Sequence, residues 1–328
     1  MTRSAHFWLP IFFAASPAVG AVLEVPWASL VLSVVVMPLT EWVMRHRVDL
    51  VPRQRRWGVW YPRGVLLLVL LQSVVLAGWA AQGDAITALV MGLSAGYVAG
   101  GTGIVLAHEL GHRRAWMDRA GARALLALIG YGHYAIEHNR GHHRHVATWD
   151  DPATARASES LWQFLPRYFA GVWSHSVRLS REKLQGKARM KINEAVALLV
   201  ASALLWSGLV GVFGVHVLLF LILQAVVAQW LVGAVDYVEH WGLRRKVAGA
   251  RVEPLGPEHI WDCNNPVSNA MLFNLPLHSS HHLEPWRTCD ELYPVQTSPQ
   301  MPTGYAGMVL IAAVPPLFRR LVAPRLPG

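Results

Sequence analysis

The stretch "EHNRGHHRHVATWDDPATAR", residues 137–156, sets four histidines within eight positions and follows them with the acidic pair Asp150 and Asp151. Imidazole at this density serves packing poorly; it suits a metal, a proton relay or a pH switch. Three further groups share the pattern. "AHELGHRR" carries His108 and His112, four apart and so on one face of a helix. In "EHNRGHH", His138 and His142 are again four apart, and His143 follows about 100° around the helix. "VDYVEHWGL" contributes His240, and "LPLHSSHH" sets His278, His281 and His282 at i, i+3 and i+4.

These groups offer nine imidazoles. A structural zinc takes about four ligands and a catalytic zinc about three from protein, so nine exceed one zinc and match two metals with four or five nitrogens each. Neutral imidazole suits zinc, copper, iron and nickel. Of these, iron best suits two adjacent redox-active ions with room for a small exogenous ligand. "HELGH" is also the zinc-protease signature, with Glu109 as general base, but that chemistry would leave most of the histidines unused. His6, His46, His175, His216 and His259 stand alone and read as ordinary hydrogen-bonded residues. His133 and His145 lie near the second group without partners at ligand spacing.

Glu109, Glu137 and Glu239 each directly precede a candidate ligand. One step round a helix, such a carboxylate is placed to hold a neighbouring imidazole N–H and raise its basicity. Asp236, Asp150, Asp151, Asp262 and Glu284 could act likewise, or cap helices and form surface ion pairs. Glu109, Glu239 and Asp236 are the candidates for support of catalysis from behind the ligands.

The elements that position these residues are membrane-spanning. The chain of 328 residues is 53% hydrophobic and 15% charged, with a mean hydropathy of +0.31. Runs long enough to cross a bilayer, about 20 residues, fall at 7–24, 26–44, 64–82, 84–107, 193–213 and 215–236. The expected fold is an all-α integral membrane protein: six transmembrane helices in three hairpins, with a histidine-rich di-metal cap. No repeat or linker divides residues 1–328, which read as one domain.

The net charge of +9 is topological rather than a nucleic-acid footprint. Basic residues gather in a loop at 45–63 (Arg45, Arg47, Arg53, Arg55, Arg56, Arg63). A second loop at 113–191 includes Arg140, Arg144, Arg178, Arg181, Lys183, Lys187, Arg189 and Lys191. Hairpin pairing puts both loops and the tail 239–328 on one side, which the positive-inside rule makes cytoplasmic. Every histidine group lies at that face. Trp27, Trp42, Trp57, Trp60, Tyr61 and Trp79 sit near the span ends as an interfacial belt. The first segment has signal-peptide features but reads as a retained span. A metal transporter would need ionisable residues along its spans, and these spans are almost bare of them. Two cysteines, Cys263 and Cys289, are too few for a disulfide scaffold or a tetracysteine site.

In order and separation, "HELGH", "EHNRGHH", "YVEHWGL" and "LHSSHH" resemble the motifs of the membrane-bound non-haem di-iron alkane 1-monooxygenases (alkane omega-hydroxylases). These are relatives of the xylene methyl-group monooxygenases and, more distantly, of the membrane fatty-acid desaturases. The resemblance runs from about the fourth span to "MPTGYAG". It implies two iron ions on His108, His112, His138, His142, His143, His240, His278, His281 and His282. It also implies O2 as co-substrate, an apolar hydrocarbon substrate, and electrons from NAD(P)H through a reductase and a separate rubredoxin or ferredoxin. The location implied is the inner membrane of a bacterium. Leu277 and Ser280 stand where the family commonly has Arg and Asp, and Asp236 and Trp241 where Asn and Tyr are common; no histidine is lost. The same site could instead desaturate or oxidatively decarboxylate a fatty acid, a substrate that would favour a basic anchor near the slot. The arginine-rich face suits an acidic electron carrier, ordinary topology being the alternative reason for it.

Overall fold

A computed structural model describes residues 3–44, 60–184, 192–249 and 251–327, with side chains from residue 8 onward. Arg45, Arg47, Arg53, Arg55, Arg56, Trp57, His46, Lys187, Arg189 and Lys191, and the side chain of His6, lie outside the described residues.

The described residues are mostly helical. Helices α1 (Arg3–Val22) and α2 (Ala28–Val43) are joined by a short turn, as are α3 (Trp60–Gln82) and α4 (Ala85–Gly111). Asp84 caps α4 by accepting a 2.7 Å bond from Thr87 N, which lets the chain reverse within two residues. Next come α5 (Trp116–Leu128), α6 (residues 134–145), α7 (Leu161–Leu184), α8 (Glu194–Phe213) and α9 (Val217–His240). A two-residue-stranded hairpin, Val247–Ala248 against Arg251–Val252, leads into the short helices α10 (Pro266–Met271) and α11 (His278–Leu283). Helices α12 (Tyr305–Ala312) and α13 (Pro315–Val322) follow.

Among the described residues, α3, α4, α8 and α9 are long and apolar enough to cross a membrane, whereas the apolar parts of the first pair, Trp8–Val22 and Ala28–Val43, are shorter. The expected spans at 84–107 and 215–236 continue as helix to Gly111 and His240. The first and third histidine motifs therefore ride on the ends of the spans themselves.

Helices α4 and α9 approach along a stripe of glycines. A Cβ on Gly96 would stand 3.0 Å from Gln224 O, and one on Gly100 would stand 2.7 Å from Ala228 Cα. Only the absent side chains allow this separation, the usual use of small residues between membrane helices. At the opposite edge, Glu41 of α2 is fully buried and accepts from Ser268 Oγ (2.6 Å) and Gly307 N (2.8 Å), while Asn265 Nδ2 donates to Glu41 O (3.0 Å). This carboxyl group fastens α2 to α10 and α12, and its burial is tolerated because both oxygens are hydrogen-bonded.

Three of the helices carry a turn of π-helix, in which N–H groups reach the carbonyl five residues back. They are Leu32–Val36 in α2, Ala99–Gly103 in α4 and His138–His142 in α6, where His143 N–H donates to His138 O. The last changes the phase of a histidine motif. Gly141 makes room for it, since a Cβ there would stand 2.6 Å from His175 Cε1 and 2.8 Å from Glu137 Oε1.

Candidate metal centre

The nine histidines of the four motifs converge, and they sort into two sets that cut across the motifs. His108, His112, His138, His143 and His281 bring one nitrogen each within 4.8 Å of one another; His142, His240, His278 and His282 do the same. The expectation that His138 and His142 act together from one face is corrected by the π-turn. His138 joins His143, five residues on, and His142 turns to the other set. Helix α11 divides at ordinary α spacing, His278 with His282 on one side and His281 on the other.

Within the five-histidine set, Nε2 of His112 lies 3.4 Å from Nε2 of His108 and 3.3 Å from that of His138. Nε2 of His143 lies 3.0 Å from that of His138 and 3.2 Å from that of His281. In the four-histidine set, His142 to His282 is 3.2 Å, His282 to His278 is 3.0 Å and His278 to His240 is 3.4 Å, again Nε2 to Nε2. A metal–nitrogen bond of about 2.0–2.1 Å gives ligand–ligand edges of about 3.0 Å at right angles and about 3.4 Å at the tetrahedral angle. The observed edges fall in that range, so the donor sets fit two metal ions.

Burial favours the neutral form of most of these imidazoles. Burial, reinforced by neighbouring imidazoles, pushes His138, His143, His278, His281 and His282 well below the usual histidine range, and brings His112 down to about 4. Neutral rings are what a metal takes. His142 departs from the pattern: burial works against its charge, yet the Asp151 carboxylate beside it pushes its pKa up to about 9. Burial opposes the charge of Asp151 too, and His142 overcomes it and holds the carboxyl below its ordinary range. His142 Nδ1 lies 3.0 Å from Asp151 Oδ2, and Asp151 also accepts from Ala153 N (3.0 Å) and Thr154 Oγ1 (3.2 Å). This is a carboxylate–histidine arrangement that fixes the ring by its Nδ1–H, so that a metal at Nε2 would take the place of the second proton.

The other acidic residues take distinct places. Asp150 is exposed. Glu137 lies 3.1 Å from His175 Nδ1 through Oε1, so His175 supports α6 rather than joining either set. Glu109 accepts from Arg113 Nη2 at 2.7 Å. Asp262 accepts from Ser279 N (2.7 Å) and Ser279 Oγ (2.8 Å), holding the start of α11. Glu284 pairs with Arg287 at 2.7 Å. Asp236 accepts a 2.5 Å bond from Tyr168 Oη, and Glu239 a 2.6 Å bond from Tyr305 Oη while its other oxygen lies 3.3 Å from His278 Nε2. His133 stacks edge-on against Trp173, His145 is 5.9 Å ring to ring from His175, and His259 lies by Glu253; none enters a set. Leu277 is buried, Ser280 Oγ accepts from Tyr293 N (3.4 Å), and Trp241 Nε1 donates to Glu159 O (3.2 Å).

Tyr134, Tyr168 and Tyr305 carry no spacing signal, and their place emerges only in three dimensions. Tyr134 Oη lies 3.3 Å from His138 Nδ1. An apolar cleft runs between α1, α2, α4, α9 and α12, lined by Phe13, Val34, Tyr97, Gly101, Val235 and Val309 among others. Its inner end is bordered by His108 and His138 of one set, His278 of the other, and Asp236 and Glu239. A mostly apolar lining with a few polar groups at one end is the pattern of a small-molecule site.

A membrane-helix scaffold with histidine-rich motifs at the span ends defines a class, and residues 84–311 match the fatty acid desaturase family. The chain is 33% identical over 345 residues to alkane 1-monooxygenase 1 of Alcanivorax borkumensis, covering 99% of this chain and 85% of that one. It is 39% identical over 238 residues to alkane 1-monooxygenase 1 of Pseudomonas aeruginosa (71% and 62% of the two chains). It is 27% identical over 234 residues to the hydroxylase component of a xylene/toluene monooxygenase from Pseudomonas putida (70% and 62%). Within the wider desaturase class, the chain belongs to the alkane 1-monooxygenase family.

Proposed function

We propose that the protein hydroxylates a terminal or methyl C–H bond of an apolar hydrocarbon, an alkane or alkyl-arene, as a single membrane domain over residues 1–328. The balance is R–H + O2 + 2 electrons + 2 protons giving R–OH + H2O. In this reading the five-histidine and four-histidine sets each hold one non-haem iron. The electrons come from a separate rubredoxin or ferredoxin, reduced by an NAD(P)H-dependent reductase. The chain has only two cysteines, too few for the tetracysteine site of a rubredoxin.

The observation that carries the proposal is an apolar cleft that ends on residues of both histidine sets. A hydrocarbon needs shape and depth rather than polar recognition, and the cleft lining supplies Leu, Val, Ile, Phe and Met. No lysine or arginine lines it among the described residues, so an acyl carboxylate finds no anchor there, which favours a hydrocarbon over a fatty acid. Bound iron supplies the activation of O2 and the hydrogen abstraction. The chain holds the substrate end against His108, His138 and His278 and keeps bulk water from the cleft. Asp236 and Glu239, fixed by Tyr168 and Tyr305, stand where protons are consumed. The positive-inside rule, applied to the basic loops and tail, supports a reading with this face on the cytoplasmic side of a bacterial inner membrane and six helices in three hairpins.

The test is metal content with product analysis. The purified chain in reconstituted membranes receives octane, xylene and a fatty acid with 18O-labelled O2, rubredoxin, reductase and NADH. Two irons per chain and a labelled terminal alcohol are expected. An alkene product would move the reaction to desaturation, and one zinc without O2-dependent product would overturn the assignment.

A further inference from the structure

The five-histidine set has a second, polar face. Opposite the apolar cleft, a pocket is floored by His108, His112 and His138 and walled by Arg113, Arg114, Arg119, Arg123 and Arg140. Few carboxylates answer these five guanidinium groups. Glu109 pairs with Arg113, and Glu194 is shared by Arg140 (2.8 Å), Arg123 (3.2 Å) and Lys183 (3.2 Å). Asp118 is taken by Arg63. Two donors remain over: Nη1 of Arg113 and Nη1 of Arg140 are both buried and have no hydrogen-bond partner among the described residues. Arg113 spends Nε and Nη2 on Glu109, and Arg140 spends Nη2 on Glu194.

Guanidinium N–H groups are costly to leave unmade, and five guanidinium groups against so few carboxylates leave the pocket with excess positive charge; an oxyanion is the ligand that answers it, because charge-assisted bonds to phosphate or carboxylate are the strong ones. We propose that this pocket is an oxyanion site, taking a phosphate group through Arg113 and Arg140, with the exposed Arg114 and Arg119 at its rim. The site lies at the end of the α4 span, beside the exposed Trp116 and Met117, so the phosphate can belong either to a lipid headgroup or to a free ion. Occupied, it closes the aqueous side of the five-histidine set with fixed charge while the opposite side stays apolar. The inference stands whatever reaction the centre carries out.

The test uses the full-length, metal-loaded chain. Inorganic phosphate is titrated calorimetrically into the protein in neutral detergent at constant ionic strength. In parallel, thermal unfolding is followed in phosphatidylcholine nanodiscs with and without phosphatidic acid. Arg113→Lys and Arg140→Lys keep a cation for Glu109 and Glu194 but remove the free arm, and circular dichroism checks that both fold. Saturable phosphate binding, weakened about tenfold or more in each variant, supports the site with a free ion as ligand. Stabilisation by phosphatidic acid alone, lost in both variants, supports it with a headgroup as ligand. No binding in either arm, or binding that both folded lysine variants retain unchanged, overturns it. So does capture of an acidic electron-carrier protein that depends on Arg113 and Arg140 with no effect of phosphate or lipid, which would make the pocket part of a protein-docking surface.

Discussion

At the residue scale the most informative contact is His142 with Asp151. Removing the charge behind a metal-binding imidazole typically costs about 10–100-fold in metal affinity. Asp151→Asn is therefore expected to weaken one of two metal sites by about that factor and spare the other, so that chelator titration resolves two classes of ion. Equal weakening of both would show that the two histidine sets do not act as separate sites. Gly141 is the second case, because a Cβ there meets His175 and Glu137 at less than contact distance. Gly141→Ala should lower stability by about 1–3 kcal/mol, as overpacking does, seen as a fall in thermal midpoint in micelles. If the clash is the cause, pairing it with His175→Ala should recover part of the loss.

The histidine motifs and the spans that bear them were legible in the sequence because both signals are local: spacing for the first, hydropathy for the second. The division of the ligands was not. It depends on a π-turn whose room comes from Gly141 lying against residue 175 of a different helix. Glu41 was equally hidden, since its partners Asn265 and Ser268 stand more than 220 positions away. Asp150 and Asp151, adjacent and alike in type, were indistinguishable until the turn after α6 exposed one and buried the other. The six runs of apolar residues did become helices, four of them long and apolar enough to cross a membrane among the described residues.

At the scale of elements, α4 runs the length of the cleft, from Tyr97 to His108, about 16 Å at the α-helical rise. Gly101 lies on that wall with only Phe13 near it, so a larger side chain there would fill the slot part-way. Gly101→Phe is expected to shift preference toward shorter hydrocarbons. Competition between short and long alkanes would show it: the ratio of kcat/KM values should change several-fold, and an unchanged ratio would place the substrate elsewhere.

For the whole molecule, nine imidazoles aimed at one another make sense only around cations, so metal and fold are linked. A ligand that binds the native state at 100 times its Kd contributes about 2.7 kcal/mol. Chelation is accordingly expected to lower the unfolding temperature by several degrees, reversibly on adding Fe(II). A chelated protein that melts as before would argue that the sets are held by packing alone.

His142 and His143 are neighbours on one backbone, and so are His281 and His282, yet each pair faces both ways, one ring to each set. The two ligand sets thus share two short helices, and an ion entering one set orders residues that the other also needs. Filling should therefore be cooperative, the second ion binding to a site whose conformational entropy has already been lost. In the native chain half-loaded molecules would then be scarce, and they would accumulate only where one set is weakened more than the coupling offsets, as Asp151→Asn should do.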